Sequence, residues 1–266
     1  MFAVGNWKMN LTLEEALGLA SGVVSQVSEL GLGAESTLQV GIAPPFPYLH
    51  AVGTLLEGSG VELVAQDCHA ETKGAFMSWV SAPMLRSVGV RRVIVGHSER
   101  RKHGGDDDTR VRAKLEAALA AGLGVILCVG ESLEEREAGR QAEVVGTQLR
   151  AALTGLSVEQ WAETVIAYEP LWAIGTGKTA SPEQAGEMHT QIIGQILPEL
   201  LPAGVDAPFV LYGGSVKPAN IDALAAIDGV GGVLVGGASL EANSFGRIAQ
   251  GCAPGGGGVS NDARSE

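Results

Sequence analysis

The chain has 266 residues, 45% of them hydrophobic and 18% charged, which is enough apolar surface to offset the entropy of ordering a large core, in one barrel-sized domain or two smaller ones. With 18 Lys+Arg against 30 Asp+Glu the formal net charge is -12, so partnership with nucleic acid or an anionic membrane is not expected, and any anion site must be built locally. No apolar run reaches the roughly 18 residues of a membrane span, and MFAVGNWKMN lacks the zones of a secretion signal, so a cytoplasmic protein is expected.

Short β-branched or apolar runs alternate with stretches at helical spacing along the chain, the pattern of a parallel sheet with crossover helices. The first strand is predicted over 2–6, ending on Asn6 and Lys8, and Thr12 with Glu15 forms a capping box that starts a helix. Strands over 39–43 and 62–65 follow. The segment 67–81 is then too long for an ordinary barrel loop, which marks it for a function or a partner. A fourth strand over 92–96 leads into His97 and Glu99, and a fifth over 124–129 into a second capping box, Ser132 with Glu135. The sixth, over 165–168, ends at Glu169.

Next comes a segment with the look of a hinged lid. An apolar, rather rigid middle that includes Trp172, Ala173 and Ile174 is flanked by two hinges, Pro170 and the residues after it on one side and Gly175, Thr176, Gly177 and Lys178 on the other, before Ser181-Pro182 opens another helix. A Trp and an Ile together on a connection cost hydrophobic energy unless they cover something. Gly-Thr-Gly-Lys lacks the spacing of a nucleotide-binding P-loop. The last strands, over 209–212 and 232–235, run into Gly213-Gly214-Ser215 and Gly236-Gly237, where glycine lets backbone N–H groups approach a phosphate, and the segment after Ala238 offers a helix start. Cys68, Cys128 and Cys252 are too dispersed for a disulfide framework or a zinc site, and no metal or cofactor is expected.

Eight strands in this rhythm predict an α/β fold, a single-domain (β/α)₈ barrel of parallel strands and outer helices over residues 1–252. The glycine-rich stretch 253–266 reads as a disordered tail. Taken singly, a strand-end His is more often structural, a strand-end Glu solvated, a Gly pair a tight turn. All of them fall on the C-terminal rim of one barrel, and independent structural residues have no reason to gather there.

GNWKMN at 5–10, IVGHSERR at 94–101, CVGE at 128–131, AYEPLWAIGTGKTASPEQA at 167–185, YGGSVKPAN at 212–220 and VGGASL at 235–240 resemble the signature blocks of the triosephosphate isomerase family, in order and in spacing. The resemblance implies a cofactor-free isomerase that interconverts dihydroxyacetone phosphate and glyceraldehyde 3-phosphate. It implies Glu169 as the base, His97 as the electrophile, Lys8 as a cation on substrate and enediolate, and Asn6 as the residue orienting Lys8 and a substrate oxygen. Phosphate contacts carry over to Gly175, Ser215, Gly236 and Gly237, and supporting positions to Glu99 and Cys128. One departure stands out: the Thr-Gly-Glu loop tip of the family is replaced by Met77, Ser78 and Trp79. An acid that would meet Arg100 across a subunit boundary is thereby lost, while Asp106 keeps a carboxylate able to reach Arg100. A homodimer through this altered loop is expected. The alternatives are another phosphate-binding barrel enzyme, or a barrel that binds ligand with reduced or lost turnover.

Overall fold

The computed structural model describes residues 1–32, 36–174 and 180–253. Eight parallel strands close into a barrel in sequence order: β1 (Phe2–Asn6), β2 (Gln39–Ala43), β3 (Val61–Ala65), β4 (Arg92–Val95), β5 (Gly124–Val129), β6 (Thr164–Tyr168), β7 (Val210–Tyr212) and β8 (Gly232–Val235). Closure comes from β1 pairing with β8, Phe2 opposite Gly232 through Gly5 opposite Val235, which leaves no open edge. Four expected strands keep their bounds and the other four differ by one residue at one end.

Helices lie between successive strands: α1 (Leu13–Glu29), α2 (Leu49–Leu56), α3 (Ala82–Ser87), α4 (Ser98–Gly104) and α5 (Asp108–Ala120) in the first half of the chain. The second half adds α6 (Leu133–Glu137), α7 (Gln141–Leu153), α8 (Val158–Ala162), α9 (Pro182–Gln191), α10 (Ile221–Ala225) and α11 (Ala242–Cys252). The capping boxes read from sequence form at α1 and α6, and Ser181 caps α9 with Gln184 as its partner. A further box, Ser157 with Gln160, starts α8 and was not anticipated. Each such cap satisfies backbone N–H groups that the helix cannot, worth about 1 kcal/mol.

Alternation along each strand splits the core in two. Val4, Val64, Ile94, Ile126, Leu211 and Leu234 fill the barrel interior, while Ala3, Val93, Val125, Leu127, Ile166 and Val233 pack outward beneath the helices. Both faces are buried, so the strands are apolar nearly throughout, as parallel sheets require. Fully burying a Leu or Ile contributes roughly 1.5–3 kcal/mol. The same parity positions the chemistry: Asn6 lies two residues beyond Val4, and Glu169 two beyond Ala167, so both continue the inward row to the barrel mouth.

Segment 67–81 contains no helix or strand beyond an isolated bridge between His69 and Ser81. Cys68, Cys128 and Cys252 are buried and free. Among the described residues no helix is long and apolar enough to cross a membrane. The tail 254–266 lies outside the described residues.

Candidate active site

The end of β1 sets out the first two groups. Asn6 is buried, and its Oδ1 accepts the Lys8 backbone N–H at 3.0 Å. Lys8 takes a positive φ of 52°, a left-handed conformation that side-chain-bearing residues avoid. It is held there from both sides, since Gln66 Nε2 donates to the Lys8 carbonyl at 2.8 Å. Strain of this kind persists only where the surroundings over-determine it. The ammonium of Lys8 reaches Glu99 Oε1 at 2.6 Å. Burial raises the Glu99 carboxyl, but the Lys8 hydrogen bond and charge outweigh it and hold that carboxyl below its ordinary range.

Beyond β4 the chain must turn sharply. Gly96 does so at φ 76°, where an added Cβ would crowd the Cys128 carbonyl and Val111. His97 then becomes the N-cap of α4, and its Nδ1 accepts the Glu99 N–H at 3.2 Å. A ring nitrogen that accepts carries no proton, so the proton sits on Nε2 and the imidazole is neutral. That Nε2 lies 3.1 Å from Glu169 Oε1, and Glu169 Oε2 accepts the Ser98 N–H at 2.9 Å. Both carboxylate oxygens are thereby occupied. Gly213 makes room for them, because a Cβ there would stand 2.8 Å from Glu169 Cγ. Below them Cys128 lies in the barrel interior; burial first, and then the neighbouring Glu169 carboxylate, pushes its thiol well above its ordinary value.

Asn6, Lys8, His97 and Glu169 share one cavity of about 650 Å³ with Ser215, Gly236 and Gly237. All four proposed reactive side chains and the three described anion-contact positions are thus brought together. The turn after β8 is a 3₁₀ segment over Gly237–Leu240, in which the Ser239 N–H and hydroxyl both donate to the Gly236 carbonyl, at 2.8 and 2.7 Å. It begins at Gly237, two residues before the expected start after Ala238.

Of the expected lid, Pro170, Trp172, Ala173 and Ile174 are described, whereas Gly175, Thr176, Gly177 and Lys178 lie outside the described residues. Ala173 is buried and Ile174 lines the cavity. Trp172 is anchored by its indole N–H, which donates to Glu131 Oε1 at 2.9 Å, and the Tyr168 hydroxyl donates to the same oxygen at 3.0 Å. Burial raises the Glu131 carboxyl, against the lowering effect of those donors. The sequence reading gave Glu131 no role. The one signal in the sequence was a strand-end Glu closing CVGE; that it is buried follows only from the fold. Lys217 also went unassigned, two residues beyond the Gly-Gly-Ser turn, yet it lines the same cavity.

The altered loop tip lies beside this region. Met77 is 91% exposed, and Ser78 has φ 70°, where glycine would be relaxed. Trp79 folds back on its own chain, with its ring 5.3 Å from the Arg100 guanidinium and 5.5 Å from the Lys114 ammonium. Arg100 Nε lies 2.8 Å from Asp67 and 3.8 Å from Asp106, and buried Lys114 contacts both carboxylates, at 2.8 and 2.6 Å. Asp106 thus meets Arg100 as expected, though Lys114 is its closer partner.

Among the described residues no group of three or more His, Cys, Asp or Glu is arranged to hold a metal ion. A family model described as Triosephosphate isomerase matches residues 1–252. The chain is 50% identical to the triosephosphate isomerase of Chlorobium phaeovibrioides over 92% of its length and 96% of that relative. It is 50% identical to that of Roseiflexus sp. strain RS-1, over 92% of this chain and 94% of the relative. With the triosephosphate isomerase of Chlorobium luteolum it shares 49% identity over 94% of this chain and 98% of the relative. A closed eight-stranded barrel, a shared cavity at its C-terminal rim and matches of this extent place the chain in the triosephosphate isomerase family.

Proposed function

We infer that this chain interconverts dihydroxyacetone phosphate and D-glyceraldehyde 3-phosphate, an isomerisation that serves glycolysis and gluconeogenesis. The observation that carries the reading is the 3.1 Å approach of His97 Nε2 to Glu169 Oε1 inside a cavity that also holds Lys8 and the glycine turns after β7 and β8.

Substrate enters by displacing contacts that already exist. Its carbonyl oxygen takes the place of Glu169 Oε1 as acceptor of the His97 Nε2 proton, and the carboxylate turns to the adjacent carbon. Glu169 removes a proton there, the C–H electrons form the C=C bond, and the carbonyl electrons move onto oxygen as an enediolate. Charge on that oxygen is met by the His97 N–H and the Lys8 ammonium, donors that the fold already holds at the cavity. His97 passes its proton to that oxygen and takes one from the neighbouring hydroxyl, and protonated Glu169 returns its proton to the other carbon. This family is itself the reference case for a carboxylate base beside a neutral imidazole and for lid closure that excludes water.

The phosphate is held by main-chain N–H groups of Gly236 and Gly237, by Ser215, and by Gly175 of the lid. It never reacts, so its binding energy is free to support closure, which protects the enediolate from phosphate loss to water. Turnover in deuterated water tests the assignment. The wild type incorporates deuterium at the carbon that accepts the proton, and Glu169→Ala loses isomerisation and exchange together; exchange at a normal rate in that variant would remove Glu169 from its role.

The chain works as a homodimer through the loop around Met77, Ser78 and Trp79. Met77 projects into solvent at 91% exposure, beside a cavity of about 340 Å³ lined by Phe46, Trp79 and Arg100 that suits a methionine of a second copy. Sedimentation over a concentration series decides this, and a fully active monomer at every concentration would overturn it. Buried, free cysteines suit a reducing cytoplasm.

A further inference from the structure

The cavity that holds the reactive groups faces an electrostatic difficulty. A phosphorylated triose arrives as an anion at a protein whose formal charge is -12. Among the described lining residues the charged groups are Lys8, Glu169 and Lys217. The Lys8 ammonium is already engaged by Glu99 at 2.6 Å, and Glu169 is itself an anion. Lys217 is different: its side chain is exposed and makes no hydrogen bond or ion pair among the described residues. Its backbone, by contrast, is pinned. The Lys217 N–H donates to Asn220 Oδ1 at 2.7 Å, Asn220 N–H donates back to the Lys217 carbonyl at 3.1 Å, and Asn220 Nδ2 donates to the Ser215 carbonyl at 3.0 Å. One closed turn therefore carries both Ser215, a phosphate contact in the reading above, and an uncompensated cation two residues further on.

We propose that Lys217 is the capture residue of this enzyme: a positive charge carried at the cavity mouth on a pinned backbone turn, which draws the substrate phosphate inward and favours dianionic trioses over uncharged ones. The inference rests on the phosphate site proposed at Ser215, Gly236 and Gly237. A focused field at a cleft raises encounter and local substrate concentration. Because the side chain is solvated, its effect weakens as salt shortens the screening length from roughly 30 Å near 0.01 M to about 8 Å near 0.15 M.

The test measures kcat/KM for glyceraldehyde 3-phosphate across that salt range in the wild type, Lys217→Gln, Lys217→Arg and Lys102→Gln. Lys102 is an exposed lysine on α4 outside the cavity lining, so its variant makes the same change in net charge elsewhere. Lys217→Gln is expected to lower kcat/KM by about 5-fold at low salt, the scale of one charge attracting a dianion through water, and to converge on the wild type at high salt. Lys217→Arg keeps the wild-type salt slope, and Lys102→Gln falls well short of the Lys217→Gln deficit. An unchanged slope in Lys217→Gln, a deficit that salt does not remove, or an equal effect in Lys102→Gln would each overturn the proposal. Inhibition by inorganic phosphate separates this from its premise. Absence of competition with substrate overturns the phosphate site, whereas competition together with an unchanged slope overturns the role of Lys217 alone.

Discussion

The two ends of the barrel are built from the same kinds of residue and do opposite things. The larger concavity, about 1110 Å³, lies at the N-terminal end of the strands, where it runs past Arg86, Arg92 and Glu62; the cavity at the other end is about 650 Å³. In the larger groove Arg86, Arg92 and Glu62 already have partners. Arg86 donates to the Gly122 carbonyl at 2.6 Å, and Arg92 donates to Glu62 at 3.0 Å while lying over the Phe2 ring. At the C-terminal end the contacts are of a kind that substrate can replace: a neutral imidazole against a carboxylate, and a carboxylate against one N–H. Volume is therefore a poor guide to chemistry here. Direction is the better one, because every strand-to-helix turn sends helix N-termini and their free N–H groups to the same rim, and helix C-termini with their carbonyls to the other.

That contrast can be broken by substitution, beginning with the strongest effect. Glu169→Ala is expected to lower kcat by roughly 10² to 10⁴ or more with the fold intact, the scale of a positioned base; steady-state kinetics with circular dichroism on the same samples checks it. The next effect concerns stability and the opposite end. His189 on α9 is buried, packs edge-on against Tyr168 and has Nδ1 3.2 Å from the carbonyl of Gly229, just ahead of β8. Burial lowers its pKa from 6.5 to about 4. As pH falls below 6.5 the unfolded chain takes up a proton that the folded chain accepts only near pH 4, so stability present above pH 6.5 is lost across that window, by about 3 kcal/mol. Urea midpoints against pH should show this slope in the wild type and a flatter one in His189→Gln.

Two smaller effects sharpen the comparison. Lys8→Ala should weaken substrate binding by roughly 10- to 100-fold, the worth of a hydrogen bond to a charged group; an unchanged KM and inhibitor affinity would mean that Lys8 does not touch substrate. At the other rim, Arg92→Gln removes a partly exposed ion pair, should cost about 0.2–1 kcal/mol in a denaturant titration, and should leave turnover within about 2-fold. A large loss of activity there would erase the distinction between the ends.

Much of this was open to reading from the chain alone. The eight strands were placed to within a residue because parallel strands buried on both faces are apolar runs, and the punctuation between them, Thr12 with Glu15 or Ser132 with Glu135, acts over three residues. One boundary slipped because a backbone angle rather than a side chain decides it: Gly96 leaves β4 because it turns at φ 76°. Glu131 and Lys217 were harder, since the sequence shows a strand-end acid and a loop lysine without showing what surrounds them. Likewise, that Trp79 packs on Arg100 of its own chain follows from how segment 67–81 folds back, which no local pattern encodes.

By itself the sequence determined the repeating strand-helix order, the inward parity that carries Asn6 and Glu169 to the mouth, and the residue types available there. These depend on interactions between near neighbours along the chain. Only the tertiary structure decided that the proton of His97 is on Nε2, that both oxygens of Glu169 are engaged, that Lys8 is held in a left-handed conformation and that Lys217 stands without a counterion among the described residues. Apart from the short-range His97–Glu99 and Lys8–Asn6 contacts, the bonds involved join groups far apart in the chain, Gln66 to Lys8 over 58 residues and Ser98 to Glu169 over 71, which only the closed barrel brings together.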